Sequence, residues 1–131
     1  MIVLDTSAMV AIVQREPEAE AFSDMVARAG ALAVSALILF ETRTVIGKGR
    51  TPPRLSEFEV WFVGISAKVF PFDAAMADAA YAAYSRYGKG VHPRARLNIC
   101  DCAAYALAKS LDAPLLFKGA DFRHTDVTAA I

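Results

Sequence analysis

The sequence predicts an α/β fold in which a short, mainly parallel sheet lies between two layers of helices. Short apolar segments alternate along the chain with helical segments of about 10 to 15 residues, which is the pattern of βαβ units. The chain opens on such a segment, Ile2 to Leu4, with no room for a helix before it. Its 131 residues contain no repeat and no low-complexity tract, so we expect one domain, residues 1–131.

The first half of the chain predicts two strands and three helices. Asp5 follows the first strand and leads into a helix that begins near Ala8. Pro17 suits the first turn of the second helix, Gly30 ends it, and Ser35 is a candidate N-cap for the third. We expect strands at 2–4 and 32–34 and, after the first helix, helices at 17–29 and 36–47.

The second half predicts three more helices and two more strands. Ser56 with Glu59 has the spacing of a capping box, and Asp73 and Asn98 are further helix caps. Loops rich in Gly, Pro and basic residues interrupt the pattern at 47–54 and 87–96. We expect helices at 57–67, 74–87 and 99–111 and strands at 69–70 and 114–117.

Composition restricts the class of protein. The hydrophobic fraction of 56% exceeds the usual value of about 45–50%, which predicts burial against a partner or a second copy. No apolar run reaches the ~20 residues of a membrane span, and the N-terminus lacks the features of a signal peptide. Cys100 and Cys102 are too close for a comfortable disulfide. We therefore expect a cytoplasmic protein without membrane contact.

Charge is unevenly distributed although the formal net charge is zero. Two windows without acids, between Glu41 and Glu57 and between Asp78 and Asp101, hold eight of the 14 basic residues. These windows are either solvated loops or the rim of a phosphate-binding surface.

Four acidic residues lie where a site could form. Asp5 ends the first strand, and Glu41 lies on an apolar helix face with no lysine or arginine three or four residues away. Asp101 lies in the first turn of a helix, and Asp121 follows the last strand. Each of Asp5, Asp101 and Asp121 also has a local alternative, as a helix cap, a capping-box member or a turn residue.

A shared location for these acids predicts a metal site, because ligands collect beyond the carboxyl ends of parallel strands. Two carboxylates ~5 Å apart repel by about 3 kcal/mol at an effective dielectric near 20, so a cluster requires a counter-charge or shared protons. Oxygen ligands favour Mg²⁺ or Mn²⁺. Zinc is disfavoured because His92 and His124 lack helical ligand spacing and Cys100 and Cys102 point apart on their helix.

The spacing of these motifs resembles a PIN domain. The shared features are a hydrophobic-Asp-Thr-Ser start, a Glu about 36 residues later, an Asn-x-x-Asp motif and a Gly-x-Asp-Phe after a strand. The segment 94–126 in particular is similar to the VapC toxins of bacterial VapBC toxin–antitoxin modules. The resemblance implies a three-layer α/β/α fold with four to five strands, and a metal-dependent endoribonuclease that a VapB-type antitoxin inhibits. A homodimer, or a hetero-oligomer of toxin and antitoxin, is also implied.

The resemblance also implies roles for particular residues. Asp5 and Asp101 would be direct Mg²⁺ ligands (Mn²⁺ being a possible substitute), and Glu41 would be the third acid. Many PIN domains carry an acid where this chain has Gly119, so Asp121 would either supply the fourth catalytic carboxylate from a shifted loop or support the metal ligands without contacting the metal. Thr6, Ser7 and Asn98 would orient a ligand or water. RNA phosphates would contact Lys48, Arg50, Arg94, Arg96 and Lys118. The antitoxin would cover Leu37, Phe40, Trp61 and Phe62.

Three other functions compete with this one. A phosphorelay receiver also clusters acids around Mg²⁺, but it needs an aspartate after a mid-chain strand, and the segment 50–54 has none. A PIN-like module without catalysis would keep the fold and lose metal-dependent cleavage. A nuclease that cleaves DNA also fits, because no residue pattern here identifies a contact to a 2′-hydroxyl group.

Overall fold

A computed structural model describes residues 1–49 and 54–131 of the chain. Strands and helices alternate in the predicted order, and their bounds are β1 Ile2–Leu4, α1 Thr6–Val13, α2 Ala19–Arg28, β2 Leu32–Ser35, α3 Ala36–Gly49, α4 Leu55–Ile65, β3 Lys68–Phe70, α5 Ala74–Tyr87, α6 Ile99–Ser110 and β4 Leu115–Leu116. The predicted α/β class is confirmed.

The four strands form one parallel sheet in the order β3-β2-β1-β4. In this register Val3 of β1 is opposite Ala33 of β2 on one side and Leu115 of β4 on the other. Every described residue of β1, β2 and β4 is buried, as expected for strands covered on both faces. Because all strands run the same way, their carboxyl ends lie at one edge of the sheet.

Helix α6 forms the centre of the core. All residues from Cys102 to Ala108 are buried, and the helix packs on α5, α3 and β1. Its small alanine side chains allow this close approach on several sides. Large buried side chains from other elements, including Met9, Ile38 and Phe58, fill the remaining space. The first turn of α6 is thereby fixed against the sheet edge where β1 ends.

Several helix boundaries differ from those predicted by one or two residues, including the start of α4 and the end of α3. Ser56 does not cap α4, because the helix already begins at Leu55 and Arg54 occupies the N-cap position without a side-chain hydrogen bond. Glu59 instead accepts a hydrogen bond of 2.7 Å from Arg43 of α3. Helix α3 continues through Gly49, two residues beyond its predicted end at residue 47.

The other predicted caps are present. The Asp73 side chain accepts a hydrogen bond from the Met76 backbone N–H, and Ser35 accepts one from Leu37. No helix in the two described ranges combines the length and the apolar character needed to cross a bilayer.

Candidate active site: acidic residues at the carboxyl edge of the sheet

Asp5 lies directly after the central strand β1. Its backbone N–H donates to Leu116 O at 3.1 Å, so the residue is still held by the sheet. Its side chain is 4% exposed, and Oδ2 accepts hydrogen bonds from Ser7 N at 3.0 Å and Ser7 Oγ at 2.5 Å. The other oxygen, Oδ1, is buried without a hydrogen-bond partner. Burial, with a contribution from the nearby Glu41 charge, raises the pKa of Asp5 to about 6.

Glu41 reaches the same place from α3. Thr6, the residue after Asp5, donates its hydroxyl proton to Glu41 Oε1 at 2.5 Å. Glu41 is half-buried and, in the described ranges, belongs to no ion pair. Within the described ranges, Glu41 therefore has no basic partner, either along its own helix or from another element.

Asp101 is a capping residue and a member of the acidic cluster at once. Its Oδ2 accepts the Asn98 N–H at 2.9 Å while Asn98 Oδ1 accepts the Asp101 N–H at 2.8 Å, which completes the capping box. The pKa of Asp101 is raised to about 7, first by burial and then by the negative charges of Asp5, Asp121 and Glu41. The charges of four acids from distant parts of the chain therefore act on one another.

Asp121 is the most exposed of the four acids. It lies in the turn after β4, which Gly119 begins with a φ of +101°. A side chain at position 119 would be strained in this conformation, so the acid of this loop is placed two residues later. We retain Asp121 as a candidate, in a position less constrained than the other three.

Ser7 joins Asp5 to the loop after β4. The Ser7 hydroxyl donates to Asp5 and accepts the backbone N–H of Lys118 at 2.9 Å. The Lys118 ammonium, predicted to bind phosphate, lies 3.1 Å from Glu16 and 3.2 Å from Glu18. It would have to leave these carboxylates to contact RNA.

The other basic residues predicted to contact phosphate lie in different parts of the chain. Arg94 and Arg96 are exposed in the loop before α6 and belong to no ion pair within the described ranges. The His92 ring accepts the N–H groups of Arg94 and Ala95, at 3.0 and 2.8 Å, and so shapes this loop. Lys48 is exposed near the end of α3. Arg50 lies outside the described residues.

The donor set fits a hard divalent cation. Carboxylate and hydroxyl oxygens predominate, the charges repel one another, and Asp5 Oδ1 has no partner although it is buried. Within residues 1–49 and 54–131, no three acidic, histidine or cysteine side chains are arranged closely enough to hold an ion as they stand. Local hydrogen bonds from Ser7, Thr6 and Asn98 hold one oxygen of each of three acids. Metal binding therefore requires small side-chain rotations towards a common point.

Sequence reasoning missed two residues beside the acids. Thr42 is fully buried, and its hydroxyl lies 3.0 Å from that of Thr6. Burial, together with the charge of Glu41, raises the pKa of Cys100 to about 12, so this thiol stays protonated. A threonine inside an apolar helix gives no periodic signal, and the partner that explains Thr42 is 36 residues away.

The four residues predicted to contact the antitoxin lie in two separate places, on α4 and on α3. Phe62 is only 9% exposed and packs against Phe58, so its assignment to a surface was wrong. Trp61 is half-buried beside grooves that α4 forms with α1 and α2. Leu37 instead lines an apolar groove of about 330 Å³ between α3, α5 and α6, while Phe40 is 64% exposed.

Comparison with known proteins identifies similar chains. The sequence profile of the PIN domain family matches residues 2–127. A ribonuclease VapC from Mycolicibacterium smegmatis is 47% identical over 128 residues, which is 98% of each chain.

Solved structures show the same fold at low sequence identity. The crystal structure of Mycobacterium tuberculosis VapC20, described as a sarcin-ricin loop cleaving toxin, superimposes with a TM-score of 0.77 at 16% identity, covering 98% of this chain and 97% of that one. A chain of a toxin–antitoxin complex from Klebsiella pneumoniae gives 0.72 at 16% identity, covering 100% of this chain and 98% of that one.

Proposed function

This chain belongs to the PIN domain family and is related to the VapC ribonucleases, and from that premise we propose that it is a Mg²⁺-dependent endoribonuclease toxin. Residues 1–131 would form a single PIN domain. One observation carries the proposal: at the edge where β1 ends, Asp5 keeps a buried Oδ1 without a partner, and Thr6 next to it holds Glu41 of α3. A phosphorelay receiver is not favoured, since the family match covers residues 2–127.

Asp5 and Asp101 would hold the cation directly, with Glu41 as the third acid beside it. Asp5 contributes the partnerless Oδ1, and the two other acids each have one oxygen that no described side-chain hydrogen bond occupies. Mg²⁺, or Mn²⁺ in its place, would supply a Lewis acid that offsets phosphate charge and acidifies the attacking water. Asp121, which is exposed, would join this group only by a movement of its loop.

Glu41 would act on the attacking water. Thr6 holds its Oε1, which leaves Oε2 to accept a proton from a water beside the scissile phosphate. The water oxygen would form a bond to phosphorus in line with the breaking bond, and the 3′ oxygen of the RNA would leave and take up a proton from solvent. The Ser7 hydroxyl and the Asn98 backbone N–H would keep the Asp5 and Asp101 carboxylates oriented during this step, because each donates to Oδ2 of its partner.

Arg94 and Arg96 would bind the RNA backbone on one side of the acids. Both are exposed, and the capping residue Asn98 follows them closely in the chain. Lys48 and Arg50 would extend the positive rim, and Lys118 would contribute after exchanging Glu16 and Glu18 for phosphate. These side chains would contact phosphate groups, which RNA and DNA share, and not the bases. DNA is therefore a second candidate substrate that the assay below must include.

The two apolar surfaces suit two partners. Val60 and Val63 of α4 are 76% and 77% exposed beside the half-buried Trp61, so we assign this surface to a VapB-type antitoxin. We assign the groove lined by Leu37, with exposed Tyr81 and Ile99 at its edge, to a second copy of the chain in a homodimer. The free thiols Cys100 and Cys102 support a location in the reducing cytoplasm.

Cleavage of RNA by the purified, antitoxin-free protein tests this proposal. Total cellular RNA and single-stranded DNA are incubated with Mg²⁺, Mn²⁺ or EDTA, and new 5′ ends are mapped. We expect discrete cuts in RNA that require the metal. Asp5→Asn and Asp101→Asn should each reduce the rate by more than about 100-fold, because each removes a direct metal ligand.

The control is Asp78→Asn, which changes an exposed carboxylate on α5 and should leave the rate unchanged. Full activity in EDTA, or in both site variants, would exclude metal-dependent catalysis by these acids. Cleavage of DNA alone would identify the second candidate substrate. A wild-type protein that cuts neither nucleic acid would be the binding module without catalysis.

A further inference from the structure

Thr42 is a fully buried polar side chain next to the acidic cluster. Its exposed fraction is 0%, so it contacts neither solvent nor any substrate that enters from solvent. Its hydroxyl lies 2.8 Å from Ile38 O, one turn earlier in α3, and 3.0 Å from the hydroxyl of Thr6 in α1. The bond to Ile38 O gives the Thr42 hydroxyl an acceptor within its own helix. The contact with Thr6 connects it to the site.

The directions of the hydrogen bonds follow from the number of protons. Thr6 has one hydroxyl proton, and Glu41 Oε1 at 2.5 Å is a closer and stronger acceptor than Ile38 O at 3.4 Å. That proton is therefore committed to Glu41. Thr42 also has a single hydroxyl proton, and it lies between two acceptors, Ile38 O at 2.8 Å and Thr6 Oγ1 at 3.0 Å, which share it.

We propose that Thr42 is a positioning residue for Glu41 that acts through the hydroxyl of Thr6. The inference rests on the proposed function, in which Glu41 contacts the metal or the attacking water. Without the Thr42 donor, the Thr6 hydroxyl is free to turn towards Ile38 O, and Glu41 loses the bond that fixes Oε1. The relay Thr42–Thr6–Glu41 also ties the start of α1, directly after Asp5, to α3. It thereby sets the separation of two acids.

Four variants test the relay against a purely structural role. Thr42→Val keeps the shape and removes the hydroxyl. Thr42→Ser keeps the hydroxyl, and Thr42→Ala differs from it only in that group. The matched control is Thr44→Val, since Thr44 makes a similar bond of 2.7 Å to a carbonyl of its own helix, that of Glu41, on the exposed face.

The readouts are Mn²⁺ affinity by calorimetry without RNA, and kcat and KM for a cleaved RNA. We expect Thr42→Val and Thr42→Ala to weaken Mn²⁺ binding or lower kcat by about tenfold, because the lost bond orients a charged group. KM for RNA should stay unchanged. Thr42→Ser should remain within about threefold of the wild type, as should Thr44→Val.

Equal behaviour of Thr42→Ser and Thr42→Ala would overturn the inference, because it would show that only side-chain volume matters. This pair decides the question even if Thr42→Val fails to fold. Wild-type Mn²⁺ affinity and kcat in Thr42→Val would overturn it as well. If the wild type cleaves no RNA, the proposed function fails, while the Mn²⁺ titrations still test the relay.

Discussion

At the residue scale, the acids of the cluster serve local structure and the site together. Asp5 caps α1 through Oδ2, while Oδ1 remains buried and without a partner. Asp101 completes the capping box of α6 while three other acidic charges raise its pKa. The local and the functional interpretation of an acid are therefore not exclusive, because a carboxylate has two oxygens. A cap that holds one oxygen also limits the directions in which the other can bind a ligand.

The raised pKa values predict how stability depends on pH. The pKa is about 6 for Asp5 and about 7 for Asp101, against 3.8 for an ordinary aspartate. Between about pH 4 and pH 7 the folded protein therefore binds more protons than the unfolded chain. The free energy of unfolding must fall as pH rises through this window. We expect the metal-free protein to have a Tm several degrees lower at pH 8 than at pH 5, measured by thermal scanning in EDTA.

Mg²⁺ should reverse this dependence, because a cation replaces the protons and stabilises the ionised carboxylates. The Tm increase on adding Mg²⁺ is expected to be larger at pH 8 than at pH 5. Asp101→Asn should flatten the pH dependence of the metal-free protein, and Asp78→Asn should not. A Tm that rises steadily from pH 5 to pH 8 in EDTA would contradict the assignment of raised pKa values.

At the element scale, a feature could be predicted from the sequence when the residues that form it lie close together in the chain. The caps at Asp73 and Asn98 were predicted correctly, because each acts within three residues. The capping box at Ser56 was wrong because Glu59 pairs with Arg43 of α3, a contact across 16 residues that spacing does not reveal. Phe62 was misassigned for a similar reason: α4 is apolar on two faces, and only packing shows which face is covered.

The exposed face of α4 carries a prediction about the antitoxin. Val60→Asp and Val63→Asp should leave Tm and RNA cleavage close to wild type, since both side chains are more than three-quarters exposed. Each should weaken binding of the cognate antitoxin by about tenfold or more, because a charge then enters an apolar interface. Titration calorimetry with the antitoxin measures this. Val69→Asp, at an exposed valine of β3, is the control.

Unchanged antitoxin affinity in both α4 variants would show that the antitoxin binds another surface. The groove beside Leu37 would then be the next surface to test.

At the scale of the whole molecule, the parallel sheet explains why distant residues could be predicted to meet. Once β1 and β4 are parallel neighbours, Asp5 and the loop that carries Asp121 emerge at the same edge. The sequence alone could not supply the hydroxyl network, because Thr6 and Thr42 meet only after α1 packs on α3. It could not show that Lys118 pairs with Glu16 and Glu18 for the same reason. The candidate acids and the succession of strands and helices along the chain were predictable, whereas the order of strands in the sheet and the hydrogen-bond partners across elements were not.

The most direct test of the account is anomalous diffraction from crystals soaked with Mn²⁺. We predict an anomalous peak in direct coordination distance of Asp5 Oδ1 and of a carboxylate oxygen of Asp101, with Glu41 as the third acid around it. The carboxylates should have turned towards the ion while Oδ2 of Asp5 and Oδ2 of Asp101 keep their bonds from Ser7 and Asn98. A fully soaked crystal without a peak at this edge of the sheet, with Asp5 and Asp101 still held only by Ser7 and Asn98, would contradict the account.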